Sequence, residues 1–126
     1  MDGYTTAAEL AKLLGHPVRL RILDILAEHE ACVCHLTAIL HQRQAYVSQH
    51  LMRLREAGLV TDRRDGLMVY YQLAEPALQG ISAILRDVVR RRDADAAFAP
   101  VPPAPIAGCT CPVCQPMADK PERDCC

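Results

Sequence analysis

Apolar residues at Val18, Ile22, Ile25 and Leu26 fall on one face of a 3.6-residue period, directly after His16-Pro17, a helix-starting pair. A helix is predicted there. Ahead of it, residues 5–14 open with hydroxyl side chains and close at Gly15, which predicts another. A short third helix is expected from about Cys32 to Leu40, with Leu36, Ile39 and Leu40 as its apolar positions. After the polar break at 41–44, Val47, Leu51 and Leu54 mark the core stripe of a fourth helix that stops at Ala57-Gly58. The period then changes to two. Residues 59–64 and 67–73 read as strands, joined by Asp65-Gly66, a dipeptide suited to the positive-φ positions of a tight hairpin turn. A fifth helix is expected from about Glu75, with Leu78, Ile81, Leu85 and Val88 or Val89 apolar.

This order predicts a mainly α fold with a small β-hairpin, a winged helix-turn-helix, and that architecture reads DNA. The polar face of the fourth helix would carry Gln44, Tyr46, Ser48, Gln49, His50 and Arg53 toward phosphates and base edges of a major groove. Arg63 and Arg64, near the hairpin tip, would meet the backbone or minor groove. The same residues also suit an ordinary solvated face, and periodicity does not separate the two readings.

Composition narrows the class. Half of the 126 residues are hydrophobic, enough for one small core, and the expected organisation is a domain over 1–95, a Pro/Ala-rich linker over 96–108 and a cysteine-rich tail over 109–126. Charges interrupt every apolar stretch before it reaches the roughly 20 residues of a membrane span. With no signal-peptide pattern, a soluble cytoplasmic protein is expected. The net charge of −1 disfavours a general polyanion binder. Residues 41–64, however, hold Arg43, Arg53, Arg55, Arg63 and Arg64 against only Glu56 and Asp62, which predicts a local basic surface. No acid/base pair, activated nucleophile or phosphate-cradling glycine loop stands out, so no enzyme is expected.

Seven cysteines require a reason. The odd number and the missing signal pattern favour reduced thiols over a disulfide framework. Cys32 and Cys34 pose a geometric problem, because positions two apart on a regular helix point about 200° apart and cannot share one ion. One is core, the helix end is distorted, or other ligands help. Cys109, Cys111 and Cys114 follow residues 99–108, which at about 3 Å per residue in polyproline II form reach on the order of 30 Å. The tail is therefore long enough to return to the third helix of its own subunit or of a partner. Cys125 and Cys126, adjacent and terminal, read as spare oxidisable thiols.

The second-helix run HPVRLRIL, CVCHL on the third, VSQHLMRLREAGLV on the fourth, and the RRDG and YYQL pieces of the wing together resemble the ArsR/SmtB family of metal-responsive repressors over about residues 5–92. The resemblance implies a homodimer joined through its first and last helices, reading double-stranded operator DNA as an inverted repeat with half-sites roughly one helical turn apart. It also implies that CVCHL is the family's third-helix arsenic site. This chain departs from that pattern: His35 replaces an acidic residue, and Thr37 stands where some members carry a third thiol. The family's zinc site on the last helix is missing, since Asp87 is there without any histidine.

As(III) and Sb(III) take three thiolates, and Cd(II), Pb(II) and Zn(II) also accept thiol-rich sites. In a composite arrangement a tail thiol completes a site with Cys32 and Cys34; in an autonomous one Cys109, Cys111 and Cys114 bind alone. Drawing Cys32 and Cys34 together is expected to strain the third helix and so displace the fourth. The rival readings are a thiol redox switch and a metal-buffering tail on a protein-binding domain. His29, His35 and His41 are expected at the surface.

Overall fold

The computed structural model describes residues 2–103 together with Ile106, Cys109 and Cys114. Five helices surround a three-stranded antiparallel sheet: α1 (Gly3–Leu14), α2 (Pro17–Glu28), β1 (Ala31–Cys32), α3 (Val33–Leu40), α4 (Gln44–Glu56), β2 (Val60–Asp65), β3 (Met68–Leu73) and α5 (Ala77–Arg92).

Local chemistry sets most boundaries. Asp2 caps α1 by accepting the Thr5 N–H at 2.8 Å. His16 caps α2 with its Nδ1, which accepts from the Val18 N–H, and Pro17 occupies the first turn, where its missing donor costs nothing. At the end of α4 the Leu59 N–H reaches back to the Leu54 carbonyl across Gly58, whose φ of 77° suits a residue without Cβ.

Ile22, Ile25, Leu36, Val47, Leu51, Leu54 and Val60 are almost wholly removed from water and form the centre of the core between α2, α3, α4 and the sheet. α5 lies on α2 through Asp24, whose carboxylate accepts hydrogen bonds from Ser82 and Arg86. Outward, the apolar residues Ile81, Ile84, Leu85, Val88 and Val89 of α5 remain exposed, and α1 buries only Leu14.

Two expectations change. The wing is not a lone hairpin, because β1 pairs with β3 in the register Ala31↔Tyr71 and Cys32↔Tyr70, making the order β1-β3-β2. Two residues are too short a run for a period-2 signal to reveal. The hairpin turn moves one residue along: Asp65 still pairs with Met68, so Gly66, at φ 62°, and Leu67 form the two-residue loop. Within the linker, residues 98–101 lie along the body. Arg21 donates to the carbonyls of Ala99 and Pro100, Phe98 lies beneath the guanidinium groups of Arg86 and Arg90, and Val101 packs on the core.

Candidate metal centre and nucleic-acid interface

The helix that would have separated Cys32 from Cys34 starts one residue too late to do so. Cys32 has extended backbone, φ −84° and ψ 169°, because it belongs to β1 and precedes the first helical residue of α3. Its side chain is thus free of the 100° rule, and its Sγ lies 2.9 Å from that of Cys34. The anticipated strain on α3 is therefore unnecessary: the strand-to-helix junction already brings the two sulfurs together.

Cys109 completes the group. Its Sγ is 3.3 Å from Cys34 Sγ, and the three sulfurs of Cys32, Cys34 and Cys109 lie within 4.8 Å of one another. All three residues are buried, among Met68, Tyr70 and Ile106. Soft donors and an apolar surround together favour a thiolate-seeking ion. Thr37, where a third local thiol is absent, donates its hydroxyl to the Cys34 carbonyl at 2.8 Å. Ion capture by these sulfurs requires them as thiols or thiolates.

Next to this group lies a second one. Cys114 Sγ is 3.2 Å from His35 Nδ1 and accepts the Ile106 N–H at 3.3 Å; His35, Cys109 and Cys114 also converge within 4.8 Å. His35, expected at the surface, is 2% exposed. Cys109 and Cys114 lie against the first turn of α3, long-range contacts that helical periodicity does not encode. Burial, and secondarily the nearby His29, push the His35 imidazole down to about 4, so the ring is neutral at physiological pH. The one local signal was the replacement of an acidic residue by His35 within the CVCHL run. Cys111, Cys125 and Cys126 lie outside the described residues.

The helix-turn-helix is α3, a turn through His41 in left-handed conformation at φ 55°, and α4. Gln44, Tyr46, Gln49 and Arg53 stand on the open face of α4, with Ser48 partly covered. His50 does not join them, and its placement on the DNA face is corrected. It continues the Val47, Leu51, Leu54 stripe inward, 7% exposed, with Nδ1 accepting from Arg19 Nε at 3.0 Å. On the wing, Arg64 is exposed, whereas Arg63 pairs with Glu30 and Asp65 and lies over the Tyr70 ring. Arg63 is thereby drawn toward the sheet as much as toward a nucleic acid.

Helix-turn-helix and three-stranded wing define a winged helix-turn-helix transcriptional regulator. Residues 16–62 match the model of the bacterial regulatory protein, arsR family. The chain is 44% identical over 79 residues to the arsenic resistance transcriptional regulator ArsR1 of Pseudomonas putida, a match covering 62% of each, so it spans a little under two thirds of that relative's length. The HTH-type transcriptional regulator Rv0081 of Mycobacterium tuberculosis is 38% identical over 89 residues, 70% of this chain and 78% of that one. Its crystal structure superposes with a TM-score of 0.67 over 75% of this chain and 97% of that one, at 36% identity. The homodimeric winged helix-turn-helix DNA-binding domain of Mb0332 from Mycobacterium bovis gives a TM-score of 0.65 at 27% identity, covering 76% and 90%. The chain belongs to the ArsR family of bacterial regulatory proteins, a class of transcriptional regulators. Among the described residues, no helix is long and apolar enough to cross a membrane.

Proposed function

We propose that this protein is a cytoplasmic, homodimeric repressor that occupies an inverted-repeat operator and leaves it on capturing As(III) or Sb(III) through Cys32, Cys34 and Cys109. Cys111 and Cys114 are further candidate thiols. The observation that carries this reading is the convergence of three buried sulfurs at the start of α3, the first helix of the DNA-reading pair. A trigonal thiolate donor set suits a metalloid, and Cd(II) or Pb(II) would be accommodated by the same softness. The names of relatives from Pseudomonas putida and Escherichia coli, an arsenic resistance regulator and an arsenical resistance operon repressor, support the choice.

The geometry suggests how capture is transmitted. Cys32 is paired to Tyr70 of the wing, Cys34 belongs to α3, and Cys109 belongs to the tail. One ion bridging all three ties wing, helix and tail into a single arrangement. Release follows when that arrangement binds the ion better than the operator-bound one does; a tenfold shift takes about 1.4 kcal/mol of such difference. Gln44, Tyr46, Ser48, Gln49, Arg53 and Arg64 are the DNA-contacting candidates, and the exposed apolar faces of α1 and α5 supply the dimer contact.

Fluorescence anisotropy of a labelled operator, with thiols kept reduced, tests the reading. As(III) is expected to release the DNA from wild type and to fail with Cys32→Ser or Cys34→Ser. Retention of DNA by wild type at saturating As(III) sinks it. The closeness of the Cys32, Cys34 and Cys109 sulfurs also suits a second reading, redox switching, which predicts release by peroxide, reversal by reductant and no stoichiometric metalloid.

A further inference from the structure

We propose that His35, Cys109 and Cys114 form a second ion site, of mixed imidazole and thiolate character, that takes a borderline divalent cation such as Zn(II) and competes with the three-thiol group through the shared Cys109. The donor atoms lie within 4.8 Å of one another, and all three residues are buried. Imidazole with two thiolates is a donor set of structural zinc sites, whereas As(III) prefers sulfur alone.

The ordinary alternative is a core histidine held for packing. Such a ring normally satisfies both nitrogens, since a buried polar atom without a partner costs about 1–3 kcal/mol. His35 does not. Its Nδ1 faces the Cys114 sulfur, and its Nε2 is buried with no hydrogen-bond partner among the described residues; the neighbouring His29 ring meets it only edge to face, 5.0 Å between centroids. A 2% exposed imidazole directed at a thiol and otherwise unsatisfied is built as a ligand better than as a packing group.

Sharing Cys109 couples the sites. A sulfur covalently bound to As(III) has lost the negative charge that holds a divalent cation, leaving that cation only His35 and Cys114. Conversely, a cation on Cys109 occupies the thiol that would complete the metalloid site. The divalent ion would also pin the tail onto α3 in the absence of metalloid.

Co(II) titration of the reduced full-length chain, followed by its visible tetrahedral absorption, tests the proposal. Wild type is expected to bind one equivalent. His35→Gln and Cys114→Ser each weaken this at least about tenfold, since loss of even an outer partner of a metal ligand costs that much. Cys32→Ser leaves Co(II) binding in place, and preloading wild type with As(III) weakens it at least about tenfold. If His35→Gln does not fold, Cys114→Ser, which lies outside the helices and strands of the fold, still decides. Co(II) binding at wild-type strength in Cys114→Ser, or its loss in Cys32→Ser, overturns the second site. Operator release by As(III) is scored separately on the same variants, so the metalloid reading and the second site can fail independently.

Discussion

Cys34 and Cys109 are 75 positions apart in the chain, yet their sulfurs lie 3.3 Å apart. Cys109 of the tail therefore reaches the first helix of the DNA-reading pair. Because Cys109 would provide one of three bonds to a bound metalloid, Cys109→Ser should raise the As(III) concentration for half-release at least about a hundredfold. Operator affinity without As(III) should stay within about twofold, since the apolar group that holds Cys109 is drawn from α3, the sheet and the tail and includes no residue of α4. Anisotropy titrations of both proteins measure each quantity, and an unchanged release midpoint removes Cys109 from the site.

Ile106 anchors that tail. It is 9% exposed and packs in the apolar group of Cys32, Cys34, Met68 and Tyr70, while its N–H bonds Cys114 Sγ and its carbonyl accepts the Cys109 N–H. Ile106→Ala should weaken tail docking by about 2–3 kcal/mol without changing a thiol. Limited proteolysis near residue 106 should accelerate, and As(III) sensitivity should fall because Cys109 spends less time beside Cys34. Unaltered cleavage and sensitivity would show that the thiols hold the tail without the apolar anchor.

The apolar face of α5 bears on assembly. Ile84 is 64% exposed, beside Ile81, Leu85, Val88 and Val89, a stripe too continuous to leave in water on a stable monomer. Ile84→Asp places a charge in the proposed dimer contact. Sedimentation should show monomer where wild type is dimer, and operator affinity should fall at least about tenfold as two half-sites cease to be bound together. A dimeric Ile84→Asp would place the contact elsewhere.

How far the sequence disclosed these features depends on the range of the interactions involved. Helices with a full apolar stripe, such as Ile22, Ile25 and Leu26 on α2 or Val47, Leu51 and Leu54 on α4, were legible because burial repeats at a local period. The hairpin was legible from Gly66, although its turn lies one residue further on. β1 was not, since two residues carry no period, and with it went the reason Cys32 can meet Cys34. His35 and His50 were both assigned outward from local polarity. Long-range partners meet them: Cys114 lies against one, and Arg19 of α2 hydrogen-bonds the other. The donor residues of the candidate site were thus readable by type, whereas their pairing depended on contacts no local pattern records.

His50 yields a pH dependence. Burial first, then His16 and Arg19, lower its pKa from the ordinary histidine value, and the neutral ring accepts from Arg19 Nε at 3.0 Å. Below about pH 6.5 the unfolded chain takes up a proton that the folded ring resists, so unfolded protein binds more protons and stability falls as pH drops. Above that pH both states are neutral and the contribution is fully present. His35, pushed down to about 4, adds a slope of the same sign. His50→Gln keeps an acceptor for Arg19 without the titration, so its urea midpoint should decline less steeply than wild type's between about pH 6.5 and pH 5. Identical slopes in the two proteins would show that the folded ring at position 50 takes up its proton as readily as the unfolded one.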